Sequence, residues 1–581
     1  MEFIWQSEDS PAIAQSCPVC GHGGGHRPVV VLPRSGPGGA DWVIVQCAGC
    51  ATRFSTDRQG ADYHGDDLPN APLLHFYLEQ GAGLRPMLEP LGFVEPGEGR
   101  RMLEIGGGFG FVSDFTQEVF GWTAKGYDPS GLATLGRDYL GLDITRDYWT
   151  ADTPMTQPFD IAYASEVVEH IPEPGPFLAA MRRAVGDQGM AVLTTPDGAA
   201  LNPLTSPAML APIASPGLHL TLFSAAGLEH ALRAAGFTQI RVEAVGCSLH
   251  AFASNAPLPP PRLLDAAHYH RYLRQRIASP DLAPALLSGL RYRLMKDMVN
   301  GGDPDEALAL FEEIAAAHRQ RFGIDITRPQ SLMVPDAGLS TEQWLSAMPG
   351  NVAGLLYFRA VLANNVQGDA QAAALFAGKA ALMGAGLRRA LHKVGMEDGE
   401  TEVLCMAAIN LFMTAAVGCG ADVAPLLTAV EEGAAADGLL LPDQFRRTAR
   451  ATVCRDLRNT RNPNLLWQGV TRVEAAEGEV ALLERLLRAD IPAGPVPAFT
   501  AIEQAADAAA VRAALDAIWV TPGAAEAPAS IRHARKLALI RLVLLGAFAE
   551  AEHLFAAWDT PKLAEDEPVA QALAIAASAK G

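Results

Sequence analysis

The sequence predicts a multidomain protein with a small β unit, a doubly wound α/β domain and a long all-α region. Two Cys-x-x-Cys pairs stand within residues 1–60 and indicate a metal-stabilised β unit. Short apolar strands alternate with amphipathic helices over residues 96–256, which is typical of a parallel sheet. Beyond a run of prolines the chain is rich in Ala and Leu and shows almost no strand pattern.

Length and charge limit the possibilities further. A chain of 581 residues is too long for one core, since a domain usually holds about 100 to 200 residues. The 45 Lys and Arg residues against 65 Asp and Glu residues give a formal net charge of −20, which argues against a nucleic-acid partner. The acidic N-terminus lacks the features of a signal peptide and no uncharged stretch is convincing as a membrane span, so we expect a cytoplasmic location.

The cysteine pairs in residues 1–60 enclose a Gly/Pro-rich turn and an alternating strand pattern at 42–46. Each pair predicts a knuckle whose thiolates point the same way, and a β-hairpin would join two knuckles into a tetrahedral site. We therefore expect a zinc ribbon with a structural zinc ion. Its ligands are Cys17, Cys20, Cys47 and Cys50. The neighbouring His22 and His26 are expected to be solvated loop residues, because four thiolates already complete the coordination shell.

A helical connector at 61–95 leads to the predicted α/β domain at 96–256. Strands are expected at 101–105, 159–164, 190–195, 239–245 and 248–253. A further strand is expected to end at residue 128, and a short one is expected near 143–148. The expected helices lie at 111–120, 177–185 and 228–235. A proline-rich insertion between residues 195 and 219 is expected to form a lid or a substrate wall.

A glycine-rich loop, GGGFG at 106–110, follows the first strand of this domain. Such a loop is by itself a weak indicator of any one ligand. Two acidic residues make it more specific, because Glu104 lies in the strand before the loop and Asp128 ends the next strand. Glu104 would repel the pyrophosphate of a dinucleotide and suits a ligand that carries an ammonium group. S-adenosylmethionine has an ammonium group and no phosphate.

Four motifs in order, GRRMLEIGGGFG, GYDPS, FDIAYASEVVEHI and VLTTPD, resemble those of class I S-adenosylmethionine-dependent methyltransferases. The resemblance implies a Rossmann-like fold and a glycine loop whose backbone approaches the cofactor. The glycines concerned are Gly106, Gly108 and Gly110. It also implies that Asp128 accepts hydrogen bonds from the ribose hydroxyls and that Glu104 orients the loop or the methionine ammonium group. His219 lies where this family places a substrate-side histidine.

The string EVVEH places Glu166, Glu169 and His170 directly after the fourth strand, at the sheet edge where ligands bind. If the chain is helical there, these three residues share one face and can ligate a divalent ion. The string also resembles the ExxEH metal site of ubiquinone-biosynthesis O-methyltransferases and small-RNA 2′-O-methyltransferases. The latter add a later histidine, for which His219 is the candidate.

By this resemblance the catalytic residues are Glu166, Glu169, His170 and His219, with a possible second divalent metal between them. Two alternatives stay open, namely metal-free acid-base catalysis by the histidine and a purely structural cap. His250, on a late strand, is expected to be a core or edge histidine.

A proline-rich linker at 257–262 precedes the expected all-α region at 263–581. Similar segments at 302–311 and 546–555 resemble the turn and second helix of tetratricopeptide-type repeats, and the alternative is an ordinary helical bundle. We expect this region to bind a protein partner or to self-associate.

The expected activity is methyl transfer from S-adenosylmethionine to a hydroxyl, rather than a carbon, of a small molecule or glycan. Zinc ribbons ahead of this fold resemble bacterial methyltransferases of sugar and polysaccharide pathways, although sugar C-methyltransferases have a second α/β domain where this chain has helices. RNA methylation and a scaffold role are the alternatives. The net charge opposes the first, and the intact glycine and acidic motifs oppose the second.

Overall fold

The computed structural model describes residues 2–419, 501–519, 529–557 and 572, apart from residues 8, 65–70, 82, 95–96, 206, 397 and 503. The chain divides into two compact units. The first comprises residues 1–317, 345–351 and 397–399, and the second comprises residues 318–344, 352–396 and 400–581.

The described strands are β1 (Ile4–Trp5), β2 (Ile13–Ala14), β3 (Gly25–Leu32), β4 (Trp42–Gln46), β5 (Arg53–Ser55), β6 (Arg101–Ile105), β7 (Thr123–Tyr127), β8 (Ile144–Thr145), β9 (Ile161–Ser165), β10 (Met190–Pro196), β11 (Thr221–Leu222), β12 (Gln239–Val245) and β13 (Ser248–Ser254). The helices of the first unit are α1 (Ala71–Glu79), α2 (Leu84–Leu88), α3 (Phe111–Phe120), α4 (Leu132–Leu140), α5 (Pro174–Val185), α6 (Pro207–Ala214), α7 (Ala225–Ala234), α8 (Ala266–Ile277), α9 (Pro284–Gly301) and most of α10 (Pro304–Phe322).

The N-terminal β unit is an antiparallel sheet in the order β1-β3-β4-β5-β11, with β2 paired to β3. Its last strand comes from the α/β part of the sequence, where Thr221 lies opposite Phe54. One apolar cluster joins both regions. Its buried members are Val30, Leu32, Trp42, Ile44, Leu201, Leu210, Ile213, Ala214, Leu220 and Leu222. The β unit therefore extends beyond the predicted end at residue 60.

The second sheet has the order β12-β13-β10-β9-β6-β7-β8. Strands β6 to β10 run parallel, while β13 is antiparallel to both β10 and β12. Every residue of β10 is buried, as expected of a strand inside a sheet with helices on its faces. The predicted α/β fold is confirmed. The strand order changes direction between β6 and β9, and ligands bind at such a point in doubly wound sheets.

Helix α8 follows the predicted linker and still belongs to the first unit. Asp114 of α3 is fully buried and accepts hydrogen bonds from the Tyr272 hydroxyl at 2.6 Å and the Arg276 Nε at 2.9 Å. A buried carboxylate requires such partners, because leaving it unpaired is costly. The boundary between the units consequently lies well beyond the expected linker at 257–262.

The second unit is helical in the part that the structure describes. It contains the first four residues of α11 (Thr341–Ala347), all of α12 (Val352–Asn365) and α13 (Ala370–His392), nearly all of α14 (Gly399–Cys419), and α15 (Ala508–Trp519), α16 (Ala529–Leu544) and α17 (Phe548–Ala557). Helix α13 is long and apolar enough to cross a membrane, but most of it is buried, as in the core helix of a folded domain.

The turns that suggested repeats share a local geometry. Gly302 and Gly546 each have a positive φ, and a helix begins two residues after each. Glycine suits this position because a positive φ places no strain on it. Tetratricopeptide-type repeats stay a prediction, because residues 420–500 lie outside the described part of the chain.

Candidate active site

The loops that follow β6 and β9 meet at the point where the strand order changes. The loop after β6 carries the glycines, and the loop after β9 carries EVVEH. A Cβ atom on Gly106 would lie 2.5 Å from the Val167 side chain, so any larger residue at position 106 would push the two loops apart. The predicted cofactor and catalytic segments are therefore neighbours.

The glycine loop has a left-handed backbone at three positions and lies beside two buried carboxyl groups. Gly106, Gly108 and Gly110 have φ angles of 66°, 54° and 80°. Glu104 lies beneath the loop and accepts hydrogen bonds from the Ser113 hydroxyl and, at 2.9 Å, from the Ser113 backbone N–H. Burial raises the pKa of Glu104 to about 7.

Asp128 follows β7 and forms a hydrogen bond with the glycine loop. Its Oδ2 accepts a hydrogen bond from the Gly108 N–H at 2.8 Å, and its Oδ1 accepts one from the Ser130 N–H at 2.9 Å. Tyr77 of α1 lies near enough for electrostatic interaction with Asp128, and its pKa is raised to about 12, mainly by burial. The sequence pattern gave no signal for Tyr77, since the connector carries no motif.

Glu166 and Glu169 follow β9 but do not share a helical face. Glu166 has a φ of 54°, and the short 3₁₀ turn begins after it, at Val168–His170. Its Oε1 accepts a hydrogen bond from the Thr194 hydroxyl at 3.0 Å. Because of this positive φ, Glu166 is not part of a helix with Glu169 and His170, although their spacing had suggested one. A non-glycine residue in this conformation is strained, and such strain is concentrated at functional sites.

Glu169, His170 and His219 form a compact cluster. Each offers one ligand atom, and these atoms lie within 4.8 Å of one another. The imidazole rings of His170 and His219 are 4.8 Å apart and nearly perpendicular. The His170 Nε2 lies 3.8 Å from the Glu169 Oε1. Three of the four predicted metal ligands are thus brought together, while Glu166 lies outside the cluster of described residues that could share an ion.

Hydrogen bonds orient both histidines. The His219 Nδ1 lies 2.8 Å from the Ile213 carbonyl oxygen, and the His170 Nδ1 lies 3.2 Å from the Leu218 carbonyl oxygen. A carbonyl can only accept, so Nδ1 carries the proton in each ring and Nε2 keeps its lone pair. This arrangement is typical of metal-binding histidines. The Tyr63 hydroxyl also contacts the His170 Nδ1 at 2.9 Å.

The electrostatics of the cluster favour a cation. Burial lowers the pKa of His219 to about 4 and also lowers that of His170, so both rings are neutral at pH 7. Burial and the nearby Glu166 raise the pKa of Glu169 well above its usual range. The Glu169 Oε1 has no hydrogen-bond partner among the described residues, although the Oε2 accepts one from Thr195 at 2.9 Å. A buried, unpartnered carboxylate oxygen beside two imidazole lone pairs fits a divalent metal ion.

The four cysteines also converge. The Cys17 and Cys50 sulfurs lie 3.7 Å apart, and those of Cys20 and Cys47 lie 3.6 Å apart. Sulfurs bound at 2.3 Å to a tetrahedral zinc ion would be separated by about 3.8 Å. The predicted four-cysteine cluster is therefore present with the spacing that zinc requires.

The two Cys-x-x-Cys turns have matching backbones. In each turn the N–H of the residue two positions after the first cysteine lies within 3.5 Å of that cysteine's sulfur. The residue four positions after that cysteine donates its N–H to the cysteine carbonyl at 3.0 Å. That residue has a positive φ in both turns, 71° at Gly21 and 60° at Ala51. The repeated geometry supports a structural metal site rather than a redox pair.

We expect purified protein to contain about one tightly held zinc ion per chain. Cys20→Ser should lower the zinc content and the thermal unfolding midpoint by roughly 5 °C or more, because metal binding contributes folding free energy. Elemental analysis and a thermal melt provide the two measurements. Cys247→Ser is the matched control, since Cys247 is a partly buried cysteine outside the cluster. Undegraded, unchelated protein without zinc would contradict the assignment.

The structure also places the remaining histidines. His26 was expected in a solvated loop, and this was wrong. It lies in β3 and is fully buried, with its Nε2 2.7 Å from the Gln15 carbonyl oxygen and its ring against Phe54. The sequence pattern predicted no strand at this position, and β3 carries His26 into the sheet. His22 is exposed and His250 is buried in β13, both as expected.

The proline-rich insertion packs on the N-terminal sheet through Leu210 and Ile213 of α6. It then returns to His219, whose N–H donates to the Ser215 carbonyl at 3.0 Å. Asp197 and Asn202 make local turn hydrogen bonds with Ala199. The insertion thus fixes the position of His219.

Comparisons with known proteins include a family model that covers most of the α/β region. Residues 77–242 match the profile of a methyltransferase-domain family. Over 107 residues the chain is 32% identical to the ubiquinone biosynthesis O-methyltransferase of Caulobacter sp. (strain K31). The match covers 17% of this chain and 42% of that relative. The chain therefore spans less than half the length of this curated relative.

Solved structures with partial similarity include one archaeal and one bacterial protein. One is a putative methyltransferase of Haloferax volcanii in complex with the Trm112 activator, with 13% identity and a TM-score of 0.26 over 33% of this chain and all of that chain. Another is a possible histamine N-methyltransferase of Thermotoga maritima, with 17% identity and a TM-score of 0.26 over 32% of this chain and 95% of that chain. The family match and the curated relative identify the α/β region as a class I S-adenosylmethionine-dependent methyltransferase domain.

Proposed function

We propose that this chain transfers a methyl group from S-adenosylmethionine to a hydroxyl oxygen of a small molecule or glycan, with a divalent cation held by Glu169, His170 and His219. The cluster of these three side chains, with ligand atoms within 4.8 Å of one another, is the observation that carries the proposal. It lies beside the glycine loop, so a cofactor and an acceptor bound at the two loops would be adjacent.

On the cofactor side, the chain's own residues supply position and charge. The loop glycines give the ligand access to backbone groups, and Asp128 keeps the loop in place while offering carboxylate oxygens to hydroxyl donors. Glu104 places a second acidic group beneath the loop, where it stabilises the conformation through Ser113 and favours a ligand with positive charge.

On the acceptor side, the two imidazole Nε2 atoms and the free Glu169 oxygen would hold the cation. A divalent ion bound there would lower the pKa of the acceptor hydroxyl, so that its proton would pass to solvent, its oxygen would bond to the methyl carbon and S-adenosylhomocysteine would leave. His170 and His219 are both neutral at pH 7 and present lone pairs. In the metal-free alternative, the same lone pair of His170 would accept the hydroxyl proton.

A sugar or polysaccharide hydroxyl is the acceptor class that we favour. The support is the resemblance of the four-cysteine unit (residues 1–60), and of its position ahead of the methyltransferase domain, to enzymes of those pathways. A phenolic hydroxyl is the second candidate. It is supported by the curated relative, whose name places it in ubiquinone biosynthesis. Methylation of cell extract with labelled cofactor, followed by separation of polysaccharide from lipid, would distinguish the two.

The cofactor part of the proposal is tested by calorimetric titration with S-adenosylmethionine. Wild-type protein should bind it, and Asp128→Ala should bind about tenfold to a hundredfold more weakly, since a hydrogen bond to a charged group contributes about 1.5–3 kcal/mol. Asp143→Ala is the matched control, because Asp143 pairs with Lys125 on the surface. Absence of binding by wild-type protein would overturn the proposed activity.

A further inference from the structure

The described chain contains an arginine that joins the four-cysteine unit to both histidine-bearing loops. Arg58 lies three residues beyond β5. Its Nη1 donates to the Leu220 carbonyl at 2.5 Å and to the Thr221 hydroxyl at 3.1 Å, and its Nη2 donates to the Pro172 carbonyl at 2.5 Å. Leu220 directly follows His219, and Pro172 lies two residues after His170.

The backbone around these contacts is tied to the cluster as well. The Leu220 N–H donates to the Glu169 carbonyl at 2.8 Å, and the Leu220 carbonyl accepts from the Ser55 N–H at 3.0 Å. Leu220 is therefore held from one side by the four-cysteine unit and from the other by the turn that carries Glu169. One guanidinium bridges the two segments that carry the histidines.

Arg58 carries no ion pair with a carboxylate in the described part of the chain. Burial lowers its pKa to about 10, so the side chain still carries its charge at pH 7. Among the described residues this half-buried cation contacts main-chain oxygens and one hydroxyl, so it loses hydration without a described counter-ion. Its planar fork spreads five donors over three nitrogens in a fixed geometry, whereas the three donors of a lysine share one nitrogen.

We propose that Arg58 is a positioning residue that sets the separation of His170 and His219, so that the four-cysteine unit supports the candidate metal site from outside. The inference rests on the proposed function in one respect, namely that the histidine pair binds a divalent ion. Ligands held by outer hydrogen bonds lose affinity when those bonds are removed, typically by about tenfold to a hundredfold.

The test measures Mn²⁺ binding by electron paramagnetic resonance on the full chain with zinc retained in the four-cysteine cluster. Arg58→Ala should weaken Mn²⁺ binding by about tenfold or more, and Arg58→Lys should restore it only in part. Arg53→Ala is the matched control. Arg53 also leaves the four-cysteine unit to contact a main-chain carbonyl, that of Leu201, but its contact is not beside either histidine.

An Arg58→Ala variant that bound Mn²⁺ as tightly as wild type would overturn the inference. An equal loss of Mn²⁺ affinity in Arg58→Ala and Arg53→Ala would also overturn it, because that result would indicate a general disturbance of the fold. If wild-type protein bound no Mn²⁺, the metal part of the proposed function would fail separately. Arg58 is then judged from the imidazole ¹⁵N resonances of His170 and His219 without metal. A shift in Arg58→Ala but not in Arg53→Ala supports the positioning role, and unchanged resonances overturn it.

Discussion

Replacing His219 with alanine is expected to remove most divalent-metal binding and to lower methyl-transfer turnover by about 10²- to 10⁴-fold. The ring offers one of the three candidate ligand atoms, and its Nδ1 hydrogen bond to the Ile213 carbonyl orients the Nε2 lone pair. S-adenosylmethionine affinity should change little, because the glycine loop and Asp128 do not contact this ring in any described hydrogen bond.

His250→Ala is the matched control for His219→Ala. His250 is also a buried histidine, and burial lowers its pKa too, but it lies in β13 and outside the cluster. Turnover is measured as label transferred from the cofactor to extract, and metal as Mn²⁺ bound per chain. If His219→Ala and a matching His170→Ala both kept full turnover, the cluster would have no catalytic role.

Replacing Glu169 with glutamine is expected to weaken divalent-metal binding by about a hundredfold while making the protein more stable at alkaline pH. The glutamine keeps the shape and can still accept the hydrogen bond from Thr195. It removes a carboxylate whose Oε1 is buried without a described hydrogen-bond partner. The unfolding free energy should rise by about 1–3 kcal/mol, the usual cost of leaving such a group unsatisfied.

The raised pKa of Glu169 determines how the stability difference between wild type and Glu169→Gln should change with pH. Because the pKa of Glu169 is raised in the folded protein, folding favours its protonated form. The carboxyl group's contribution to stability is present below its unfolded pKa of about 4.3 and is lost as the pH rises through its folded pKa. Urea titrations should therefore show wild type and Glu169→Gln to be similar in acid and to diverge as the pH rises. Metal affinity of the wild type should increase over the same range, because binding releases the proton.

A Glu169→Gln variant that was less stable than wild type at alkaline pH would contradict the buried, uncompensated state of this carboxylate. Thr195→Val separates the contribution of the Thr195 hydrogen bond from that of the ionisable Glu169 carboxyl group. It removes the hydroxyl that donates to Glu169 Oε2 but leaves the ionisable group in place. This variant should lose stability as the pH rises, which is the direction opposite to that of Glu169→Gln.

Local features of the α/β domain could be predicted closely from the sequence. Strand β6, helix α3 and strand β12 have the predicted bounds, because each is followed directly by a glycine with a positive φ. The four-cysteine cluster was also predicted, since spacing alone restricts where paired thiolates can meet.

Features that depend on distant contacts could not be predicted in this way. The left-handed φ of Glu166 is imposed by its surroundings and contradicts the i, i+3, i+4 pattern of its neighbours. Arg58 and Tyr63 approach the cluster from residues far away in sequence, and no motif surrounds them. The pairing of β5 with β11 joins segments more than 160 residues apart, and a two-residue strand leaves almost no periodic signal.

The sheet shared by the four-cysteine unit and β11 has a consequence for how such a protein could arise. A module that passes between proteins by gene fusion carries a complete sheet and core with it. Here the outer strand and six of the ten buried members of the apolar cluster come from residues 201–222, so residues 1–60 transplanted alone would expose the unpaired edge of β5. Residues 1–60 are not a complete module in this sense, because their sheet and apolar core include residues 201–222.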